Sequence, residues 1–492
     1  MKLYNSDIIK NIFSNLEKEN RTIITEITGK SISSFDFKNN ILSVAKNLSD
    51  FWLWKTDKVG IFVRDNIAFS NIIISSILCG AQVILLDPGM WKKILLEKIN
   101  ASKVTHIFIE WILYDYLFLR HSEIFSMNIV FIIEWWSLFG RKHKKCRQLL
   151  KSNDSSIDFV DADENNDCIT VFTWGTTGKP QWVIHSLASI FAMLSKIKYF
   201  IGDTKIFYAD MPHFLLLWLL VDAHIISGSY NIKPRKLKFI LEKYKIDTYF
   251  CPPYKYNYFI ENNLKVPNTL TNILLGSAPI YTWFLEKLLP LLDEQQKVTC
   301  IYGMTEMLPI AYIDGREKVA TKVDGDLLGN IIDEINHNIV ENELQVQGPH
   351  QMLHYLWYDT KPFIETWDLV RIQHNKLVMI GRKKDMIIRK EYNIYPWVYE
   401  PIICQIPWVF HCALVWMYDE KLNDEKIILF VEMWYSHKKY NQNYIMTQLK
   451  SWEYSIDEYA LPDEIIFCIL PRIWRQNKID KIALRDSLKS IF

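Results

Sequence analysis

The chain has 492 residues, 49% of them hydrophobic and 23% charged, with a formal net charge of +1. That length exceeds one ordinary domain and allows two or three with ample core, while the near-neutral balance gives no electrostatic case for a nucleic-acid or anionic-membrane partner. Eight scattered cysteines, at 79, 146, 168, 251, 300, 404, 412 and 468, form no CxxC pair and no zinc spacing with histidine, which fits a reduced cytoplasmic interior.

Met1–Lys10 lacks the apolar core of a signal peptide. Short apolar runs rich in Ile, Val and Phe then recur: 58–62, 82–86, 106–109, 129–133, 169–173, 205–208, 248–251, 271–275 and 297–301. Segments with helical spacing lie between them, among them 234–244 and 281–292. The alternation predicts an α/β architecture with mixed, mostly parallel sheets and flanking helices. Ile67–Leu86 carries no charge and is about long enough to span a bilayer. Its Asn71, Ser75, Ser76, Gly80 and Gln82 favour a buried helix, a glycine break and a strand, so no transmembrane segment is expected. The basic run Arg141–Lys145 reads as a solvated face. After about residue 325 short strands are expected at 343–347, 369–372 and 377–380. From Lys384 a smaller α+β unit follows, with strands at 412–416 and 426–432.

The strongest local signal is Thr173-Trp174-Gly175-Thr176-Thr177-Gly178-Lys179-Pro180, directly after a predicted strand. Glycines let backbone N–H groups approach phosphate oxygens, hydroxyls add donors, and Lys179 supplies a point charge. The spacing is not GxxxxGK[ST], so a P-loop NTPase fold is not implied.

From this string onward the sequence resembles the adenylate-forming superfamily of acyl- and aryl-CoA synthetases, nonribosomal peptide adenylation domains and luciferases. The likeness runs from about Lys55 to Leu484. It implies a large ATP- and acyl-binding domain, 1–383, and a small mobile domain, 384–492. In that family the Thr173–Pro180 string closes over the β- and γ-phosphates. Gly276-Ser277-Ala278 resembles the segment lining the adenine. Tyr302-Gly303-Met304-Thr305-Glu306 resembles the next motif, with Tyr302 on the adenine, Thr305 on the α-phosphate and Glu306 on Mg²⁺. Asp368 and Arg382 resemble the pair holding the ribose hydroxyls. Lys384 matches the hinge, Lys478 the catalytic lysine near the C-terminus, and His213 the gate to the acyl pocket. Taken singly, Glu306 also reads as a charge at a helix N-terminus, Asp368 as a turn residue, Lys478 as a surface lysine and His213 as a core histidine.

The resemblance implies an AMP-forming ligase that uses ATP, Mg²⁺ and CoA. It would convert a carboxylic acid, expected to be a fatty acid from the apolar Phe214–Leu220 stretch, to acyl-AMP and then to a thioester of CoA or an acyl carrier protein. Other fates stay open: closure of a β-hydroxy acid to a β-lactone, suggested by Tyr302–Ala311, and an inactive nucleotide-binding homologue. Arg389-Lys390-Glu391-Tyr392-Asn393 lacks the glycines that precede Tyr-Asn-Ile in CoA-using members, and Asn477 replaces the glycine before the catalytic lysine.

One departure is systematic. The chain holds 18 Trp and 16 Gly, and the glycine share is about half the usual roughly 7%. Trp182, Trp357, Trp367, Trp408 and Trp416 stand where the family's motifs read glycine, and Trp52, Trp54, Trp135 and Trp136 read naturally as glycines too. Either the protein is rich in tryptophan or UGA codons meaning glycine have been read as tryptophan. A tryptophan at a left-handed position would cost roughly 1–2 kcal/mol.

Overall fold

Parallel strands covered on both faces need apolar residues at nearly every position. In the computed structural model Thr248–Cys251 is buried at all four residues and Asn272–Leu275 at its last three. The structure describes all residues except 1, 51–52, 54–56, 87–91, 111–113, 115–128, 134–143, 146–157, 162, 175–179, 230–231, 324, 359–360, 384, 390–391, 395, 420–423, 434–440, 452, 474–477 and 489–492.

Two large sheets dominate. The eight-stranded sheet runs in the order His354–Tyr355, Pro180–His185, Ile169–Trp174, Gln82–Leu85, Lys58–Phe62, His106–Ile109, Val130–Ile133, Lys144–Lys145. In the thirteen-stranded sheet six neighbouring strands are parallel: Thr22–Glu26, His224–Ser227, Ile206–Ala209, Thr248–Cys251, Asn272–Leu275 and Lys297–Met304. At Lys297–Met304 the pattern switches. Met307–Asp314 returns antiparallel, and Asp326–Ile331, Lys376–Arg382, Ile364–Gln373, Glu343–Gln347 and Asn336–Val340 continue the antiparallel half. The sheet is therefore less parallel than the sequence suggests. The return strand escapes prediction because Met307–Ala311 reads as one apolar run, without alternation.

The charge-free stretch resolves as expected. Asp65 caps a helix over Asn66–Leu78 by accepting from Ala68 N–H, Gly80 takes φ 79° just past its end, and the strand Gln82–Leu85 follows. Among the described residues no helix is long and apolar enough to cross a membrane. The helix expected over 281–292 is shorter, Thr282–Leu288, and tightens into a 3₁₀ turn at Leu289–Leu291, where Pro290 cannot continue the ladder.

From Ile387 onward the chain builds its own layers. Val409–Asp419, Asp424–Met433 and Glu464–Phe467 form a three-stranded sheet, flanked by helices Pro396–Ile403, Gln442–Leu449 and Lys481–Leu488. The two apolar clusters around this sheet draw only on residues from Ile387 on.

Candidate active site

In open α/β sheets, ligands bind beyond the carboxyl ends of the strands, where the topology switches. Here that place is the end of Asn272–Leu275 and of Lys297–Met304. Gly276 leaves the first strand buried, and a Cβ there would come within 2.6 Å of the Phe250 ring. Ser277, at φ 63°, and Ala278 follow, half-buried. Tyr302, Gly303 and Met304 end the second strand, and a Cβ on Gly303 would meet the Leu308 side chain at 2.7 Å.

Thr305 and Glu306 form the turn of the hairpin, so Glu306 is not a charge at a helix N-terminus. Its carboxylate is buried and accepts from Tyr355 O–H at 2.8 Å. Burial, then the neighbouring carboxylate, holds the Tyr355 phenol well above its usual range. The Thr305 carbonyl accepts from His185 Nε2 at 2.9 Å, while His185 Nδ1 faces Ser189 Oγ at 3.2 Å. Burial pushes His185 down to about 4. The ring is therefore neutral at physiological pH, and the carbonyl partner fixes its proton on Nε2. A second buried histidine, His350, donates to the Pro309 carbonyl at 2.7 Å on the returning strand.

Asp368 and Arg382 face each other as register partners of an antiparallel pair, so Asp368 is a strand residue and not a turn residue. Arg382 Nε donates to Asp368 Oδ1 at 2.6 Å, and Tyr302 O–H donates to Oδ2 at 2.6 Å. The Asp368 N–H donates to Thr366 Oγ1 at 3.2 Å, and that hydroxyl donates to the Leu344 carbonyl at 2.8 Å. Asp368 is buried. Its charge, against the opposing effect of burial, raises the Arg382 guanidinium further. Burial and the same carboxylate push the Tyr302 phenol well up.

Lys478 opens the short strand Lys478–Ile479, paired with Arg472–Ile473. Burial, then the positive charge of Arg382, lowers its ammonium to about 8, with Asp368 opposing. The charges of the pair on the large sheet thus bear on a lysine about a hundred residues further along the chain. Lys478 is not simply a surface lysine.

Other expected site residues lie apart or outside the description. Gly175, Thr176, Thr177, Gly178, Lys179 and Lys384 fall outside the described residues. Thr173 pairs with Gln181 in the two strands on either side of residues 175–179. His213 belongs to the 3₁₀ helix Pro212–Leu219, and its side chain is outside the description. Sequence reasoning missed Tyr355, His185 and Thr366. Tyr355 and His185 meet Glu306 and Thr305 from a different sheet, which no local pattern marks. Thr366 stands in the Thr366-Trp367-Asp368 string, but its bonds to Asp368 N–H and the Leu344 carbonyl show only in the fold.

The strand-end glycines, the Thr305–Glu306 turn, the strand-borne Asp–Arg pair and a tail lysine under that pair's charges are the parts of the site. The sequence model of the AMP-binding enzyme family matches residues 14–356. The chain belongs to that family. It is an AMP-forming ligase built on the family's α/β fold; the family's CoA ligases use ATP, Mg²⁺ and CoA. A 2-succinylbenzoate–CoA ligase of Staphylococcus aureus (strain Newman) is 21% identical over 405 residues, 77% of this chain and 81% of the relative. Among solved structures, ATP-bound MatB from Rhodopseudomonas palustris aligns with a TM-score of 0.82 at 16% identity, covering 98% of this chain and 99% of its own. The o-succinylbenzoate CoA synthetase MenE of Bacillus subtilis, in complex with its acyl-adenylate, aligns with a TM-score of 0.80 at 16% identity, covering 97% and 98%.

Proposed function

We propose that the protein joins a carboxylic acid to ATP as acyl-AMP, releasing pyrophosphate, and then passes the acyl group to CoA. The observation that carries this reading is the buried Asp368 carboxylate held between Arg382 Nε and Tyr302 O–H, each at 2.6 Å, at the strand ends, with Lys478 under the charges of the same pair. A carboxylate and a triphosphate repel, so the barrier falls when a cation stands where both present oxygen. In this reading Asp368, held by Arg382 and Tyr302, keeps lone pairs for the ribose hydroxyls. The Tyr302 ring and Gly276-Ser277-Ala278 border the adenine, beside Gly303 and Met304. Thr305 donates to the α-phosphate. Gly175, Thr176, Thr177, Gly178 and Lys179 close on the β- and γ-phosphates from the end of the strand that carries Thr173.

Lys478 bridges the acid's oxygen and an α-phosphate oxygen. One carboxylate oxygen attacks the α-phosphorus, the bond to the bridging oxygen breaks, and pyrophosphate leaves with that electron pair. Mg²⁺, when bound, offsets phosphate charge, and Glu306 would hold it. A single buried carboxylate suits an ion that takes most of its ligands from phosphate and water, and among the described residues no cluster of three His, Cys, Asp or Glu offers an all-protein cage. Turning of the unit after Lys384 would then withdraw Lys478 and admit the thiol.

For the acid we favour an aromatic carboxylate behind a gate at His213. The curated relative is named for 2-succinylbenzoate. The apolar stretch that suggested a fatty acid is accounted for by packing: Phe214, Leu215, Leu216, Leu217 and Leu219 are all buried, and Phe214 packs on Phe250 at 4.5 Å between ring centroids. The test is acid-dependent ATP–pyrophosphate exchange with aryl, fatty and β-hydroxy acids, with and without CoA or a carrier protein. Exchange with an aryl acid and a CoA thioester as product is the expected result. Exchange with no acid, or a lactone product indifferent to CoA, defeats the reading.

A further inference from the structure

Glycine and tryptophan are distributed oddly along this chain. The last glycine is Gly381. From Arg382 to Phe492, 111 residues, there is none, where about eight belong at the usual share. The same stretch holds six tryptophans, at 397, 408, 416, 434, 452 and 474.

The backbone gives the oddity a meaning. Trp357, Trp367 and Trp408 take φ of 71°, 60° and 74°. That left-handed region suits glycine, tolerates Asn and Asp, and is a true outlier for a bulky side chain. The chain has 26 Phe and 25 Tyr, and among the described residues none of them has positive φ.

Each of the three sits in a motif that calls for glycine. In Ile406-Pro407-Trp408-Val409 the Ile406 carbonyl accepts from Val409 N–H at 3.1 Å. Proline in second place and positive φ in third define a type II turn, whose third residue is normally glycine. In Tyr355-Leu356-Trp357-Tyr358 the Tyr355 carbonyl accepts from Tyr358 N–H at 3.0 Å, again with positive φ in third place. At Trp367 the strand Ile364–Gln373 bulges: Glu365 and Leu369 pair with Gln345 and Glu343, so the strand holds three residues between its pairs where its partner holds one. A bulge residue in the left-handed region is one that glycine takes without strain, as in the G1 bulge.

The three indoles stay at the surface, and the ring of Trp357 meets that of Trp182 at 5.0 Å between centroids. Trp357, Trp367 and Trp408 are 64%, 37% and 44% exposed, and no described tryptophan belongs to the buried core. The indole N–H groups of Trp182, Trp283 and Trp397 are buried with no hydrogen-bond partner. Trp367 lies between Thr366 and Asp368, its ring 5.9 Å from Lys383 Nζ, so an indole there crowds the approach to the ribose pair.

We propose that positions 357, 367 and 408 are glycine in the protein as its source makes it, the three codons being UGA decoded there as glycine. A glycine at position 367 would then be a positioning residue. It would let the backbone bulge so that Asp368 meets Arg382, and would leave the face toward the nucleotide open. The inference rests on backbone geometry and stands whichever acid the enzyme takes.

Peptide masses of the protein purified from its source test it directly. Glycine at all three positions is expected; tryptophan at any one of them overturns the proposal, as does a UGG codon at any one. Recombinant protein gives a second arm. The triple variant Trp357→Gly/Trp367→Gly/Trp408→Gly is expected to melt at a higher temperature than the chain with three tryptophans and to bind ATP more tightly. An unchanged or lower melting temperature counts against it, and a failed exchange assay with a raised melting temperature would indict the proposed activity instead.

Discussion

Two lysines three residues apart on the tail show how differently one short segment treats the same side chain. Lys481 pairs with Glu400 at 2.8 Å, and that carboxylate, against the effect of burial, raises its ammonium. Glu400 also accepts from Leu414 N–H at 2.8 Å, so the pair ties the last helix to the small unit's sheet. Among the described residues no carboxylate forms an ion pair with Lys478, which faces Arg382 and is lowered to about 8. A lysine with a resident counter-charge holds structure together. One kept without its own, beside another cation, is ready for an anion that arrives and leaves.

The sharpest way to break that contrast is to remove each lysine. Lys478→Ala is expected to lower ATP–pyrophosphate exchange on the order of 10²–10³-fold with the melting temperature unchanged. Lys481→Ala is expected to keep exchange and lose about 1–3 kcal/mol in urea unfolding, because Glu400 is left short of a partner. If the two variants swap phenotypes, the contrast is wrong.

Asp368→Asn weakens the acceptor between Arg382 and Tyr302. A hydrogen bond to a charged group contributes about 1.5–3 kcal/mol, so the KM for ATP should rise about 10- to 100-fold with little change in the KM for the acid. Equal rises in both would mean a folding defect.

The lowered lysine also sets a pH limb. Lysine carries its charge below its pKa, so the cation is nearly full at pH 7 and is lost as pH rises through about 8. For the free enzyme kcat/KM should fall about tenfold per pH unit above that value. A flat profile to pH 10 would show that Lys478 keeps its ordinary proton affinity.

The smallest effect belongs to His185, which supports Thr305 through its carbonyl. His185→Leu leaves that carbonyl without its donor, and exchange should fall about fivefold, the worth of roughly 1 kcal/mol. His185→Gln can still donate and should recover most of the loss. Equal losses in both variants would mean that the ring fills space and no more.

Much of this arrangement was legible in the sequence because it rests on local signals. Short apolar runs marked the parallel strands, and the resemblance to the family's motifs, taken in the family's order, singled out Tyr302–Glu306, Asp368, Arg382 and Lys478; of these the fold joins Tyr302, Asp368 and Arg382 by hydrogen bonds. What stayed hidden depends on register. Tyr355 reaches Glu306 because the strand His354–Tyr355 pairs with Pro180–His185, and Met352 N–H donates to the Glu306 carbonyl at 2.7 Å. His185 reaches Thr305 from another sheet altogether. Neither spacing nor composition carries such pairings. The return strand Met307–Asp314 was missed for a different reason, since an apolar run without alternation suits several structures, whereas the strands at 343–347, 369–372 and 377–380 were expected.

Arg382 answers to two masters, the carboxylate across the strand pair and the ammonium on the tail. Whatever anion settles beside it must also change how firmly Lys478 keeps its proton, and the coupling runs equally in both directions. ATP binding near pH 8 should therefore take up a proton, and its heat in a calorimeter should vary with the ionisation enthalpy of the buffer.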